Sequence, residues 1–559
     1  MSQSDAVLTR EDSIQGDAGR SRGLRRLSGF LFHPLLAILA VQAVVSGRLA
    51  WVNSAFGDEA NYLAGGHAEW QGWLHGTPIP VMHYSGAPQI YPPIGAAAAA
   101  LGGLPLARLL SLAFMLGATA LLYATAHRLF GRAAGLWAAG LGAFNEPVLR
   151  LTFATYDPLS ILLLMTAVYV AVRSATARRR GELVAVAGVC LMLSALVSVS
   201  YAIYIPVVAA VMLCVWAEQR GWANAIIPVV WQFVLIGALA VIGVSQLHVW
   251  TDFVGTTVDR KQGLGAGVSS VLSPAWGWGG LLLCVAVAGA VLAFASAGWR
   301  HPRAWLVTVL ALADVVVPAY QAFLGTGYSM DKHMAPGAEL AAMAGGYAIS
   351  RARVSGLRGV AAFGASAALL VFPVVNATTA SDSVFHQWPD TTNLIAALRG
   401  QLSAAQASAG SSAPAGSGGA RPGAGSLLVG TAGPGNFNPE IFNYYLPHTD
   451  VRTSGDPATA ADIKAGLYSV AVQDLNSASL EAAASVAPAG SAASAASPGG
   501  PAPALRSAIL AAEKQQQNKV GTELAASRRY TIADVVPYTT NNAANPSGVF
   551  VIWTAVPAP

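Results

Sequence analysis

The chain has 559 residues, 54% hydrophobic and only 11% charged, with a mean hydropathy of +0.50. Soluble domains carry about 25% charged residues, so this composition excludes an ordinary soluble protein and points to many membrane spans. The net charge of +5 is modest, and its arginines lie in short clusters between apolar segments, a topology signal that argues for no nucleic-acid partner.

The polar N-terminus, residues 1–28, closes on Arg20, Arg22, Arg25 and Arg26 and reads as a disordered cytoplasmic tail before a retained signal-anchor. At about 17–25 apolar residues per helix, about eleven spans are predicted within residues 29–377. They lie near 30–52, 104–130, 132–149, 156–173, 182–198, 200–217, 223–246, 275–297, 304–324, 333–350 and 359–377. The stretch 91–103 has the length of a re-entrant half-helix. With the N-terminus inside, Arg128, Arg132, Arg173, Arg220, Arg300 and Arg351 fall in inner turns, as the positive-inside rule requires. Arg150, Arg260, Lys261 and Lys332 are the chief outer basic residues. The odd count places the C-terminal tail outside. Cys190, Cys214 and Cys284 lie in apolar runs and suggest neither a disulfide framework nor a zinc site.

The first outer loop, 53–92, contains Gly57-Asp58-Glu59-Ala60, an acid pair that is costly near a bilayer. A short helix would put Asp58 and Tyr62 on one face. A carboxylate here suits a general base that takes a proton from an acceptor hydroxyl; Asp58 and Glu59 are equally placed to cap an interfacial helix. Tyr62, His83, Tyr84 and Tyr91 are the further substrate-facing candidates of the loop. Its three histidines and its acids include metal-ligand types, but a spacing of eight matches no compact motif, and a divalent ion stays open.

Asp157, followed by Pro158, starts the fourth span either as a helix cap or as a second acid on the same outer face, with Glu146 close by. Arg260 and Lys261 sit in a Gly-rich outer loop. Asp314, deep in the ninth span, should face the bundle interior. Lys332 and His333 precede the tenth span, where a basic pair suits a phosphate at headgroup depth, or pairing with Asp331 or lipid headgroups. The tail, 378–559, reads as a small extracytoplasmic α/β domain. It has a helix from an Asp/Thr cap to about 407, strands near 427–429 and 548–554, and a helix from Glu440 to Leu446. Ala/Gly/Ser/Pro tracts at 408–425 and 482–504 read as disordered insertions.

Together, Gly57-Asp58-Glu59-Ala60-Asn61-Tyr62, Tyr91-Pro92-Pro93, Asp157-Pro158 and Lys332-His333 with Pro336 resemble the GT-C superfamily of integral-membrane glycosyltransferases over about residues 30–377. The likeness is greatest to the branch of protein O-mannosyltransferases and lipid A aminoarabinose transferases. The resemblance implies a multi-pass cell-membrane enzyme that moves a sugar, with inversion, from a polyprenyl-phosphate donor to a hydroxyl on a glycan, lipid or protein acceptor. Asp58 would be the base with Glu59 beside it, and Asp157 would position the acceptor or a divalent ion. Lys332 and His333, with Arg260 and Lys261 as a second pair, would bind the donor phosphate. Frequent Ala, Gly and Arg with scarce Lys suggest a bacterial source. A transporter or flippase for a lipid-linked or polar solute is the rival class; it would use Asp314 and often shows an internal repeat, which the halves of the chain lack.

Overall fold

A computed structural model describes residues 33–76, 84–246, 250, 265–327, 329–351, 371, 374–409, 426–430, 439–447, 449–453, 459–476, 502–515, 518–541 and 547–556. The N-terminal tail, 1–28, lies outside the described residues. The helical part begins with α1 (Pro34–Gly47), extended by a 3-10 turn to Trp51, then α2 (Gly57–His75), α3 (Tyr91–Phe130), α4 (Arg132–Ala143) and the single turn α5 (Glu146–Leu149). It continues with α6 (Asp157–Ser174), α7 (Arg180–Val197), α8 (Ile205–Arg220), α9 (Trp222–Gln246), α10 (Val268–Ala297) and α11 (Pro302–Leu324). The short α12 (Met330–His333) leads into α13 (Ala335–Arg351). Proline in the first turn opens α1, α3, α5, α6, α8 and α11, where its missing N–H leaves no helical bond unmade. Left-handed Gly76 and Gly325, at φ 71° and 66°, close α2 and α11.

Eight helices among the described residues are long and apolar enough to cross a membrane: α1, α3 and α6 to α11. The chain is thus a multi-pass membrane protein by composition and fold. The predicted span 132–149 is broken, because α4 stops at Ala143 and the chain turns through Phe144 and Asn145 into α5. The stretch 91–103 is the first arm of α3, joined to the second through non-helical Gly102 and Gly103 just before Pro105. Helix α13 has 17 residues and is buried from Ala335 to Ala348. It packs on α4, α10 and α11, where a Cβ on Gly346 or Gly337 would come within 2.4 Å of a neighbouring carbonyl oxygen. Of the predicted span 359–377, residues 371 and 374–377 are described, and a helix covers 374–384.

The C-terminal part is three-layered. Its elements are α14 (Thr392–Ala409), β1 (Leu427–Gly430), α15 (Pro439–Tyr445), β2 (Val451–Thr453), α16 (Thr459–Ala465) and β3 (Val470–Asn476). Next come α17 (Ala502–Gln515), α18 (Lys519–Ala526), β4 (Tyr530–Thr539) and β5 (Ser547–Ala555). The sheet order is β2-β1-β3-β5-β4, with β2, β1 and β3 parallel and β5 antiparallel to both β3 and β4. Alternation sends Leu427, Val429, Val472, Phe550 and Ile552 towards α14 and α15, and Leu428, Ala471, Val551 and Trp553 towards α16 to α18. The Asp/Thr cap is present: the Asp390 carboxylate accepts the Thr392 N–H at 3.0 Å. The tracts 408–425 and 482–504 lie almost wholly outside the described residues; their edges at Ala409 and Ala502–Ala504 are helical.

Candidate active site

Asp58 and Glu59 occupy the first turn of α2, where the helix dipole favours acids. The backbone of α2 lies close against α3, because Gly66 leaves room for the Pro92 carbonyl; a Cβ there would sit 1.9 Å from that oxygen. Asp157 is likewise the first residue of α6, with its side chain buried. Lys332 sits on α12, entered through Ser329 at φ 54°, a left-handed conformation that strains a side-chain-bearing residue.

These three segments converge. The Lys332 ammonium donates to Asp58 Oδ2 at 2.8 Å and lies 3.5 Å from Asp157 Oδ2, over the Tyr156 ring with its centroid at 5.6 Å. Asp58 keeps 40% of its side chain exposed, against 15% for Lys332 and none for Asp157. Thr155 donates to Asp157 Oδ2 at 3.4 Å, while Oδ1 has no hydrogen-bond partner among the described residues. Burial alone would push the lysine down, but Asp58 and Asp157, then Tyr156, hold it well above its usual range, so it stays charged. Tyr62 packs edge-on against Tyr156 at 4.4 Å and tilted against Tyr84 at 6.3 Å. Burial, reinforced by Tyr156 and then Asp58, pushes the Tyr62 phenol well up, so it remains a proton donor.

Glu59 does not join this cluster. Successive helix residues point about 100° apart, and Glu59 turns into the protein to meet Arg108 of α3. Arg108 donates to both its carboxylate oxygens, at 2.8 and 2.6 Å, with both side chains fully buried. Arg108 also donates to the carbonyl of Val52 at 2.6 Å and to those of Asn53 and Ser54, and Glu59 accepts the Ala154 N–H at 2.8 Å. One ion pair thus ties the end of α1, the start of α2 and the loop carrying Asp157. Glu59, placed with Asp58 by the sequence, thus points away from the Lys332 cluster, with both of its oxygens bonded.

Tyr91 is buried, with its hydroxyl 3.4 Å from Ser111. The His333 carbonyl accepts the Tyr204 hydroxyl at 3.3 Å. His83, Arg260 and Lys261 lie outside the described residues. Arg150, read from the sequence only as an outer basic residue, pairs with Glu146 at 3.3 Å and with Asp331 at 3.2 Å, tethering the Lys332 segment to α5. Arg108 escaped the sequence reading altogether. An arginine inside a predicted span is itself a signal of a buried acid partner.

No group of three or more His, Cys, Asp or Glu side chains among the described residues is placed to hold a metal. The facing oxygens of Asp58 and Asp157 already share the lysine ammonium. Asp314 is buried in α11 beside Gly279, and Glu339 in α13; Asp314 Oδ1 and both Glu339 oxygens lack hydrogen-bond partners among the described residues.

No protein-family model matches the chain, and no curated protein matches it by sequence. Solved structures do. ArnT from Cupriavidus metallidurans bound to undecaprenyl phosphate superposes with a TM-score of 0.50 at 15% identity, over 81% of this chain and 94% of that one. The Archaeoglobus fulgidus oligosaccharyltransferase tethered with an acceptor peptide gives 0.52 at 13% identity, over 93% and 74%. The archaeal oligosaccharyltransferase AglB from Archaeoglobus fulgidus, in complex with an inhibitory peptide and a dolichol-phosphate, gives 0.50 at 13%, over 80% and 70%. Likeness at these identities speaks to fold, and the chain shares the fold of these solved membrane proteins.

Proposed function

We propose that the protein is a membrane glycosyltransferase that moves a sugar from a polyprenyl-phosphate donor to a hydroxyl acceptor, with inversion, at the outer membrane face. The observation that carries this reading is the meeting of Asp58, Asp157 and Lys332, from three separate segments, in one cluster where the lysine bridges a half-exposed and a buried carboxylate. Asp58 is the base, since it alone of the two acids reaches solvent. It takes the proton of the acceptor hydroxyl as that oxygen attacks the anomeric carbon from the face opposite the phosphate. The bond from that carbon to the phosphate oxygen breaks, and the lipid phosphate leaves with the electron pair.

Lys332 couples the steps. At rest its ammonium is bonded to the Asp58 carboxylate. A donor phosphate competes for the same ammonium and frees that carboxylate to take the proton of the acceptor. The leaving phosphate is stabilised by fixed positive charge. Asp157, buried against Lys332, keeps the ammonium at the cluster, and Arg150 with Asp331 holds α12 in position. The same reading puts residues 378–559 on the outer side and assigns a bacterial source.

The ArnT and AglB structures, which carry undecaprenyl phosphate and dolichol-phosphate, support a lipid-linked donor. Against the transport reading, Asp58 and Asp157 gather with Lys332 at helix starts, whereas Asp314 and Glu339 sit within α11 and α13. The test is release of polyprenyl phosphate from a polyprenyl-phosphate sugar by the purified protein, wild type beside Asp58→Asn. The variant should lose on the order of 10²–10⁴ in rate, whereas full activity in a folded variant would remove Asp58 from the mechanism.

A further inference from the structure

Resting on the proposed transferase reading, we infer that the cleft between α2, the first arm of α3, and α14 and α15 of the C-terminal part is the subsite for a neutral glycan acceptor. The cleft has a volume of about 770 Å³, within the roughly 300–1,000 Å³ of ligand-sized pockets. Its floor is α2, with Asn61, Ala64, Gly65, Ala68 and Gln71, spaced three, four, seven and ten residues from the first, along one stripe and Leu63 and His67 beside it. Asp58 lies three residues before Asn61 on that same stripe, about 4.5 Å further along the helix axis. A chain lying along this face therefore ends at the proposed base.

The opposite side is built by the C-terminal part. Arg399 on α14 and Glu440, Asn443 and Tyr444 on α15 line it. This side is fixed to the catalytic loop: the Tyr445 hydroxyl accepts the Ala55 N–H at 2.8 Å, and Arg399 donates to the Tyr445 carbonyl at 3.0 Å. Ile441 and Tyr445 pack with Ala55 and Ala60 at the start of α2. Ala96, Ala99 and Ala100 of α3 keep the remaining wall low.

The chemistry of the lining selects sugars. Hydroxyl groups both donate and accept, and they are read by planar groups that offer two atoms at once: here the amides of Asn61, Gln71 and Asn443, the Arg399 guanidinium and the Glu440 carboxylate. The half-buried ring of Tyr444 offers an apolar face for the C–H side of a pyranose or furanose. Arg399 and Glu440 cancel in formal charge, which leaves His67 as the one other titratable side chain of the lining outside the tyrosines and gives a phosphate-bearing acceptor no cluster of fixed positive charge. A peptide would call for a free sheet edge or a row of apolar pockets, and the floor supplies amides and alanines instead.

The test is equilibrium binding of radiolabelled mannotriose, maltotriose and arabinotriose to the full chain in nanodiscs, with a Ser/Thr-rich heptapeptide as competitor. Wild type is compared with Asp58→Asn, Asn443→Leu and Gln71→Leu, each first shown to melt as wild type does. At least one trisaccharide should bind saturably to wild type and to Asp58→Asn, and lose tenfold or more in affinity in at least one leucine variant. The inference is overturned if no trisaccharide binds, if neither leucine variant changes affinity, or if the peptide displaces the sugar. Donor cleavage is followed on the same preparations. Sugar binding without donor cleavage by any polyprenyl-phosphate sugar would discard the transferase reading and leave a glycan site. Cleavage without sugar binding would do the reverse.

Discussion

Two ion pairs at the start of α2 differ in what they can do. Lys332–Asp58 is part-exposed and exchangeable, as a step that trades one anion for another requires. Arg108–Glu59 is fully buried, with both carboxylate oxygens bonded, and serves architecture. Removing one partner of such a pair strands a charge and costs about 3–5 kcal/mol. Arg108→Met and Glu59→Gln should each lower the melting temperature of the detergent-solubilised protein markedly. Arg179→Met, which breaks an exposed pair, should change it little, since such pairs contribute about 0–1 kcal/mol. Equal effects at the two places would refute the architectural role. Asp58, Asp157 and Lys332 were legible in the sequence because charges stand out in a chain with so few. The division of labour between Asp58 and Glu59 was not, since it depends on Arg108, 49 residues away, and partner choice at that distance is set by packing.

Helix starts were readable from proline, and α1 and α6 to α11 fall close to their predicted ranges. Only the second arm of α3 was predicted as a span, because Gly102, Gly103 and Pro105 look like a stop when the helix only kinks there. The contact of α2 with α3 depends on a missing side chain. Gly66→Val should force the two helices apart, shift Asp58 from Lys332 and abolish transfer, whereas Gly181→Ala, with open space around it, should be silent; comparable activity in both would contradict the close approach. In the C-terminal sheet the sequence revealed β1 and β5 but not the central β3, whose Gln473 and Asp474 interrupt the apolar pattern. Both polar residues are buried. Tyr538 donates to Asp474 at 2.8 Å, and Gln473 bonds Glu513. Burial pushes Asp474 up to about 6 and Glu513 up to about 7. Acids with raised pKa values hold protons more tightly folded than unfolded, so stability falls as pH rises from about 4 through those values. Hydrogen exchange in β3 and β5, corrected for intrinsic rates, should show stronger protection at pH 5 than at pH 8; the reverse would show that these acids do not limit the sheet.

At the scale of the molecule, the helical bundle supplies the acids and lysine, and the C-terminal part closes a cleft above the helix that carries Asp58. The membrane class was legible from composition. The use of the tail was not, because its contact with α2 through Ile441, Tyr444 and Tyr445 is a tertiary event that no local pattern announces. The orientation from the positive-inside rule gives a direct expectation. In a cysteine-free background, a cysteine replacing exposed Arg179 should resist an impermeant maleimide in intact cells, and one replacing exposed Asp534 should react. Labelling at Arg179→Cys with none at Asp534→Cys would invert the topology and put the cluster on the inner face. The central claim concerns the lysine-bridged acids, and the most direct measurement is polyprenyl phosphate release from labelled polyprenyl-phosphate sugars in liposomes supplied with envelope extract. Wild type, Asp58→Asn and Lys332→Gln are compared. The account predicts release by wild type, near-complete loss in Asp58→Asn, and weakened donor use in Lys332→Gln. Release that survives intact in both folded variants would contradict it.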